Sequence, residues 1–211
     1  MFSLFKKDTT PSFPTRDKIW KTGDEARKGL FMMAMMRLQK QEPALIFTFF
    51  EEEMQQFISF MDENKISYRL LDESIGTENI ATLIYVTDPV GIQSTGVTSW
   101  LRKNANRLGK IAFFHSHHPL ISAEDQVLSR LYDSGLVEFI FCLSFDDPMM
   151  APFSKNIVPL MERLGLDDNE SIEHPMVTSS IKNIRKKINE KVKIEKKARS
   201  AAEWYALNVK P

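Results

Sequence analysis

Three of the four histidines in this 211-residue chain fall within four positions, His115-Ser116-His117-His118, and Ser122 and Asp125 follow closely. Imidazole nitrogens and a carboxylate are the groups that hold zinc, and a zinc-bound water is a hydrolytic nucleophile near neutral pH. His115, His117 and Asp125 are therefore the ligand set to weigh, and a metal-dependent hydrolase is the activity they would imply. The same stretch has a structural reading. Ser122-Ala-Glu-Asp125 stands before an apolar helical pattern, as a capping-box variant with Ser122 at the N-cap.

Other constellations carry less chemistry. The loop Thr87-Asp-Pro-Val-Gly-Ile-Gln-Ser-Thr95 contains Gly91 but no Lys or Arg, and no G-x-x-x-x-G-K-[ST] run, so it reads as an ordinary strand-to-helix connection. Asp146, Asp147, Asp167, Asp168, Glu170 and Glu173 lack the alternation of a calcium loop and read as solvated acidic surface. The basic run Lys182, Arg185, Lys186, Lys187, Lys191, Lys193, Lys196, Lys197 and Arg199 reads as a solvated helix face. Such a face could also meet an acidic protein, anionic lipid or RNA.

Composition narrows the class. With 28 basic and 28 acidic residues the formal net charge is zero, which argues against a dedicated nucleic-acid binder. A single cysteine, Cys142, sits in the apolar run Val137 to Leu143 and reads as a core residue. The opening MFSLFKKDTTP lacks a signal-peptide core, and no apolar run reaches the ~18 residues of a membrane span. The expectation is a cytoplasmic protein, with Met1 to Lys7 a frayed terminus or at most a weak peripheral membrane contact.

These residues must be positioned by regular elements. Leu30, Phe31, Ala34, Met35 and Leu38 recur at helical spacing, with Met32, Met33 and Met36 widening the apolar face. That spacing predicts a helix over 23–41. Further helices are expected over 51–64, 95–108 and 122–132. Short apolar runs predict five strands, at 44–49, 67–71, 80–86, 110–114 and 137–143. Alternation of strands and helices implies a largely parallel sheet covered on both faces, with ligands expected outside the carboxyl ends of the strands. Beyond it, Pro175 starts a helical pattern, with Val177, Ile181, Ile184, Ile188 and Val192 on one face. One helix of roughly 30 residues, about 45 Å long, is expected there.

Two resemblances bear on function. His115-x-His117 with Ser122 and Asp125 resembles the H-x-H…S-x-x-D pattern of JAMM-type zinc metalloproteases, with a shorter interval before Ser122 than that family uses. The longer resemblance is to SecA, the preprotein translocase motor ATPase. Leu143-Ser-Phe-Asp-Asp147, Leu160-Met-Glu-Arg-Leu-Gly165 and Ile172-Glu-His-Pro-Met-Val-Thr178 follow one another as they do in that family. Asp17-Lys-Ile-Trp-Lys-Thr22 and Pro43 to Glu52 resemble, more weakly, the segments that open its second motor domain.

The SecA resemblance implies an α/β, RecA-like fold (the P-loop NTPase second-domain type) of about five parallel strands, followed by a long scaffold-like helix. It divides the chain into a lead-in over 1–16, a degenerate motor domain over 17–172 and the helix over 173–211. Departures from the family bear on function. Thr87 and Gly91 remain of the nucleotide-sensing loop, but Ile92 and Gln93 replace its Arg and second Gly. Arg130 is the one arginine between Asp125 and Asp147. The domain carrying the P-loop lysine has no counterpart here. Phosphoryl transfer needs such groups together, an arginine finger alone being worth about 10³–10⁵ in rate.

The expectation is thus a non-catalytic SecA-like interaction module linked to protein export, with no ATP or zinc bound. His174, Pro175, Val177, Ile181, Ile184 and Ile188 would form the contact surface. The resemblance points to SecA, the translocon or a preprotein as partner. The apolar stripe of the C-terminal helix needs a partner surface, either its own domain or a second copy of the chain in a homodimer; nucleic acid is not expected. A nucleotide-binding subunit acting in trans is the other reading.

Overall fold

A computed structural model describes residues 13–77, 79–150, 167 and 170–209. The Leu160–Gly165 motif, Asp168 and the Met1–Lys7 segment lie outside these described residues. Six strands form one parallel sheet: β1 (Thr15–Trp20), β2 (Ala44–Thr48), β3 (Tyr68–Leu70), β4 (Ile84–Thr87), β5 (Ile111–His115) and β6 (Glu138–Ser144), in the order β1-β6-β5-β2-β4-β3. The added strand is β1, which pairs with β6 from Thr15 to Trp20 and so takes up part of the expected lead-in. Its charged Arg16, Asp17 and Lys18 mask the apolar signal of a strand in the sequence.

The helices follow the expected periodicity: α1 (Gly23–Gln39), α2 (Glu51–Glu63), α3 (Thr95–Asn104) and α4 (Ile121–Asp133). Strand alternation splits the core in two. Ala44, Ile46, Phe113, Ile140 and Cys142 face α1 and α2, while Leu45, Phe47, Phe114, Phe139 and Phe141 face the other layer. On α1 the core stripe is Ala26, Leu30, Phe31 and Ala34; Met32 and Met36 are 60% and 54% exposed and do not belong to it.

The C-terminal region departs most from the sequence expectation. It is two helices, α5 (Pro175–Lys191) and α6 (Ala201–Asn208), joined by an irregular segment over 192–200. Pro175 occupies the first turn of α5, and the His174 side chain caps it by accepting from Met176 N–H at 3.2 Å. The helix stops after 17 residues, about 26 Å. The chain then turns back, so that Trp204 of α6 is fully buried in the same core as Phe114 and Phe141. The apolar stripe ends at Val192, where the positions that would extend it are Glu195, Lys196 and Arg199, and the turn there lets Trp204 reach the core.

α5 packs on the chain's own domain. Val177, Ile181 and Ile188 are buried in the main core, with Ile184 packed against it. The stripe expected to be a contact surface for another protein is spent on the chain's own domain. Ahead of α5, Ile172 forms a two-bond bridge with Ile19, and Glu173 pairs with Arg16 and Lys18, covering the outer edge of β1.

Candidate functional site

The strand order defines a switch point. From β2 the chain leads to β3 and β4 on one side, whereas β5 leads to β6 on the other. The carboxyl ends of β2 and β5 are therefore where such a sheet would hold a ligand. They carry Phe49, Phe50 and the acidic start of α2 on one strand, and the histidine cluster on the other.

Strand alternation would put His115 and His117 on one face, as a metal pair needs. Ser116 prevents this. Its φ of +63° lies in the left-handed region and turns the chain out of β5. His115 then points towards α2 against Phe57, while His117 stacks on Phe141 with ring centroids 3.9 Å apart. Among the described residues no group of three or more His, Cys, Asp or Glu side chains converges as a metal site.

Both nitrogens of His117 meet carboxylates: Nδ1 lies 2.9 Å from Glu124 Oε2 and Nε2 3.0 Å from Asp17 Oδ1. Carboxylates only accept, so a ring protonated at both nitrogens satisfies both contacts, while Arg185 Nη1 lies 3.4 Å from the same Nδ1. Burial by itself would push His117 down. Glu124 and Asp17 outweigh burial and the nearby Arg185 charge, and hold the imidazole above its ordinary value. Glu124 also accepts from the His118 N–H at 3.0 Å and forms an ion pair with Arg185 at 2.9 Å. Burial would raise Glu124, but His117 and Arg185 hold it below the usual carboxylate value. For Asp17, burial is again outweighed, chiefly by His117 and by a hydrogen bond to Thr178.

Asp17, His117, Glu124 and Arg185 thus form a buried set of alternating charge summing to zero. They come from β1, the β5 turn, α4 and α5. Arg185 Nε also donates to His118 O at 3.0 Å. Buried charges are tolerated when paired and hydrogen-bonded in this way. The arrangement fastens α5 to the sheet, and all four residues line one cleft of about 320 Å³.

Two sequence readings change here. Ser122 is not an N-cap, because α4 is preceded by Leu120 with no side-chain cap, and Glu124 reaches back to His118 N–H instead. Arg185 is only 7% exposed and so does not belong to a solvated basic face.

A second polar group surrounds His115. Its Nδ1 lies 3.5 Å from Glu53 Oε2. Asp147 accepts from Ser116 Oγ at 2.7 Å and from Met149 N–H at 2.8 Å. Burial raises both Glu53 and Asp147 above the usual carboxylate values, more than their hydrogen bonds lower them. Neither residue is the solvated acid that its acidic neighbours in the sequence suggest.

The crevice itself is covered by the C-terminal segment. His118 stacks on Phe50 at 5.5 Å and meets the Trp204 ring edgewise at 5.8 Å. Its Nδ1 accepts from Leu120 N–H at 3.1 Å, leaving Nε2 to face Glu195 at 3.4 Å. Glu195 also accepts from Trp204 Nε1 at 2.7 Å. At the start of α2, Glu52 N–H donates to Arg199 O at 3.0 Å, and the Arg199 guanidinium pairs with Glu51. An open cleft of about 420 Å³ remains between this segment and the loop after β4.

Of the expected nucleotide-facing residues, Arg130 lines that cleft with Asp88 and Gln93, whereas Thr87 and Gly91 face a neighbouring cleft with Leu71 and Glu73. The backbone N–H groups of Val90 and Gly91 already donate to Asp88 Oδ1, at 3.0 and 2.7 Å. Gly91 is required by close approach: a Cβ there would lie 2.6 Å from Thr87 Oγ1 and 2.8 Å from Leu71 O. Asp125 lies at a third cleft, with Lys182 and Lys186, which the Asp17, His117, Glu124 and Arg185 set also lines. Asp17, Glu124, Arg185, Glu195 and Trp204 were not legible as one site, because they are scattered over nearly the whole chain.

Comparison with known proteins gives one consistent answer. The chain is 44% identical over 52 residues to the SecA translocase subunit of Thermus thermophilus, a match covering 24% of this chain and 5% of that protein. It is 25% identical over 185 residues to SecA of Prosthecochloris aestuarii, covering 82% of the chain and 18% of the relative. Against SecA of Maridesulfovibrio salexigens it is 25% identical over 197 residues, covering 88% and 23%. The chain is thus SecA-like over most of its length, while spanning less than a quarter of these relatives. No family model matches it.

Proposed function

We propose that this SecA-like chain is a protein-binding module of protein translocation or its regulation, acting without nucleotide hydrolysis. The observation that carries the reading is the state of the ligand crevice. A helix N-terminus at such a switch point is a ready anion site. Here the first turn of α2 is Glu51, Glu52 and Glu53, and its Glu52 N–H is taken by Arg199 O. The N–H groups of the β4 loop are turned onto Asp88, a further negative charge. A triphosphate would meet carboxylates where it needs donors. The translocation setting comes from the SecA likeness, and the partner expected from it is SecA, the translocon or a preprotein.

Calorimetry with ATP and Mg²⁺ tests the first half. No heat of binding is expected, and tight binding would overturn the non-catalytic reading. Pull-down with the full chain tests the second half. Recovery of SecA or translocon subunits is expected; recovery of an unrelated complex alone would remove the translocation assignment. No helix among the described residues is long and apolar enough to cross a membrane.

A further inference from the structure

We propose that the crevice between the carboxyl ends of β2 and β5 is a peptide-binding site for a basic side chain followed five residues later by an aromatic one, with residues 193–209 as its internal occupant. The inference rests on reading the chain as a binding module and names the chemistry of what it binds.

Three contacts define the recognition. The indole of Trp204 inserts against His118, which is itself backed by Phe50. The backbone carbonyl of Arg199 accepts from the otherwise uncapped N-terminus of α2. The Arg199 guanidinium lies on Glu51, at the acidic rim. An aromatic pocket, a backbone donor at the helix start and a carboxylate beside it are what a short peptide with an arginine and a tryptophan requires.

Trp204 anchors the occupant in the core, with Ala201 and Tyr205 packed beside it, while its polar contacts are largely internal or exposed. It holds its own shape: Asn208 accepts from Lys196 N–H at 2.7 Å and donates to Lys196 O at 2.8 Å, and Ser200 caps α6. Of its ionisable ties to the domain, Arg199 to Glu51 is exposed on both sides, at 67% and 55%, and such pairs contribute little, while Glu195 faces His118 at 3.4 Å. The cleft of about 420 Å³ alongside shows that the segment does not fill the crevice. The joining segment is solvated, with Ile194 86% exposed. A short tether presents its end at an effective concentration on the order of mM, so a partner peptide must bind well to displace it.

The test uses the full-length chain and a fluorescein-labelled synthetic peptide of residues 195–209, read by anisotropy. In Arg199→Glu, an exposed change, the internal segment is repelled by Glu51, and the peptide should bind roughly three- to tenfold tighter than to the wild type. In Trp204→Ala the gain should exceed tenfold, with circular dichroism confirming the fold; if that variant is unfolded, Arg199→Glu alone decides. A peptide with its tryptophan replaced by alanine should bind neither. Equal peptide binding by the wild type and every folded variant, or equal binding of the alanine peptide, overturns the proposal. If the pull-down still recovers translocation proteins in that case, the binding-module reading stands and this site falls.

Discussion

Arg185 of α5 and Glu124 of α4 meet at 2.9 Å with side chains only 9% and 4% exposed, 61 positions apart in the chain. Their charges are part of an alternating set with His117 and Asp17, so the C-terminal helix is locked to the sheet by electrostatics as well as by Ile181 and Ile188. Truncating one member leaves a buried charge unmatched. Arg185→Met should therefore lower stability by about 3–5 kcal/mol, measured by urea unfolding. The double variant Arg185→Met, Glu124→Gln should recover part of that loss, since a coupled pair is not additive. A loss in the double variant equal to the sum of the two single-variant losses would show that the pair is not coupled.

The same set makes stability depend on pH. His117 is held above its ordinary 6.5. Its contribution is then complete below about 6.5 and is lost as pH rises through the higher folded value. Asp17 and Glu124 are held below 3.8 and 4.5, so their contributions are present above those values and lost as pH falls through the folded ones. Glu53 and Asp147 are raised by burial and act in the opposite sense, which makes the acid limb shallower. In His117→Gln the alkaline limb should disappear. Unfolding curves between pH 5 and 9 check this: the gap between wild type and variant should narrow steadily as pH rises. A constant gap would mean that the ring is not charged in the folded protein.

Gly29 tests packing against propensity. It lies inside α1, where Ala is normally favoured over Gly by about 1 kcal/mol. A Cβ at this position would come 2.2 Å from the ring of Trp20, which is 4% exposed and backed by the core. Gly29→Ala should destabilise by about 1–3 kcal/mol despite its better propensity, because the indole has no room to retreat. Thermal denaturation read by circular dichroism decides the sign, and a rise in Tm would show that Trp20 can repack.

Much of the architecture was readable from local signals. Continuous apolar runs mark β2, β5 and β6, because strands buried on both faces carry apolar residues on every position. Three- and four-residue spacing marks α1 to α4, and Pro175 after His174 marks where α5 begins. β1 was not readable as a strand, because its charged residues find partners far along the chain, Asp17 at His117 and Arg16 at Glu173.

The candidate site divides along the same line. The H-x-H pattern puts the histidines at the end of β5, and composition alone can suggest a metal. Only the fold shows that Ser116 turns them apart, that both nitrogens of His117 meet carboxylates, and that Arg185 is buried although its neighbours are solvated lysines. The C-terminal stretch is the sharpest case. Its apolar stripe runs from Val177 to Val192 and marks α5, but periodicity records which face is apolar and not what that face meets. Burial of Trp204 beside His118 bends the chain at Val192, and that contact exists only once β2, β5 and α5 have been brought together.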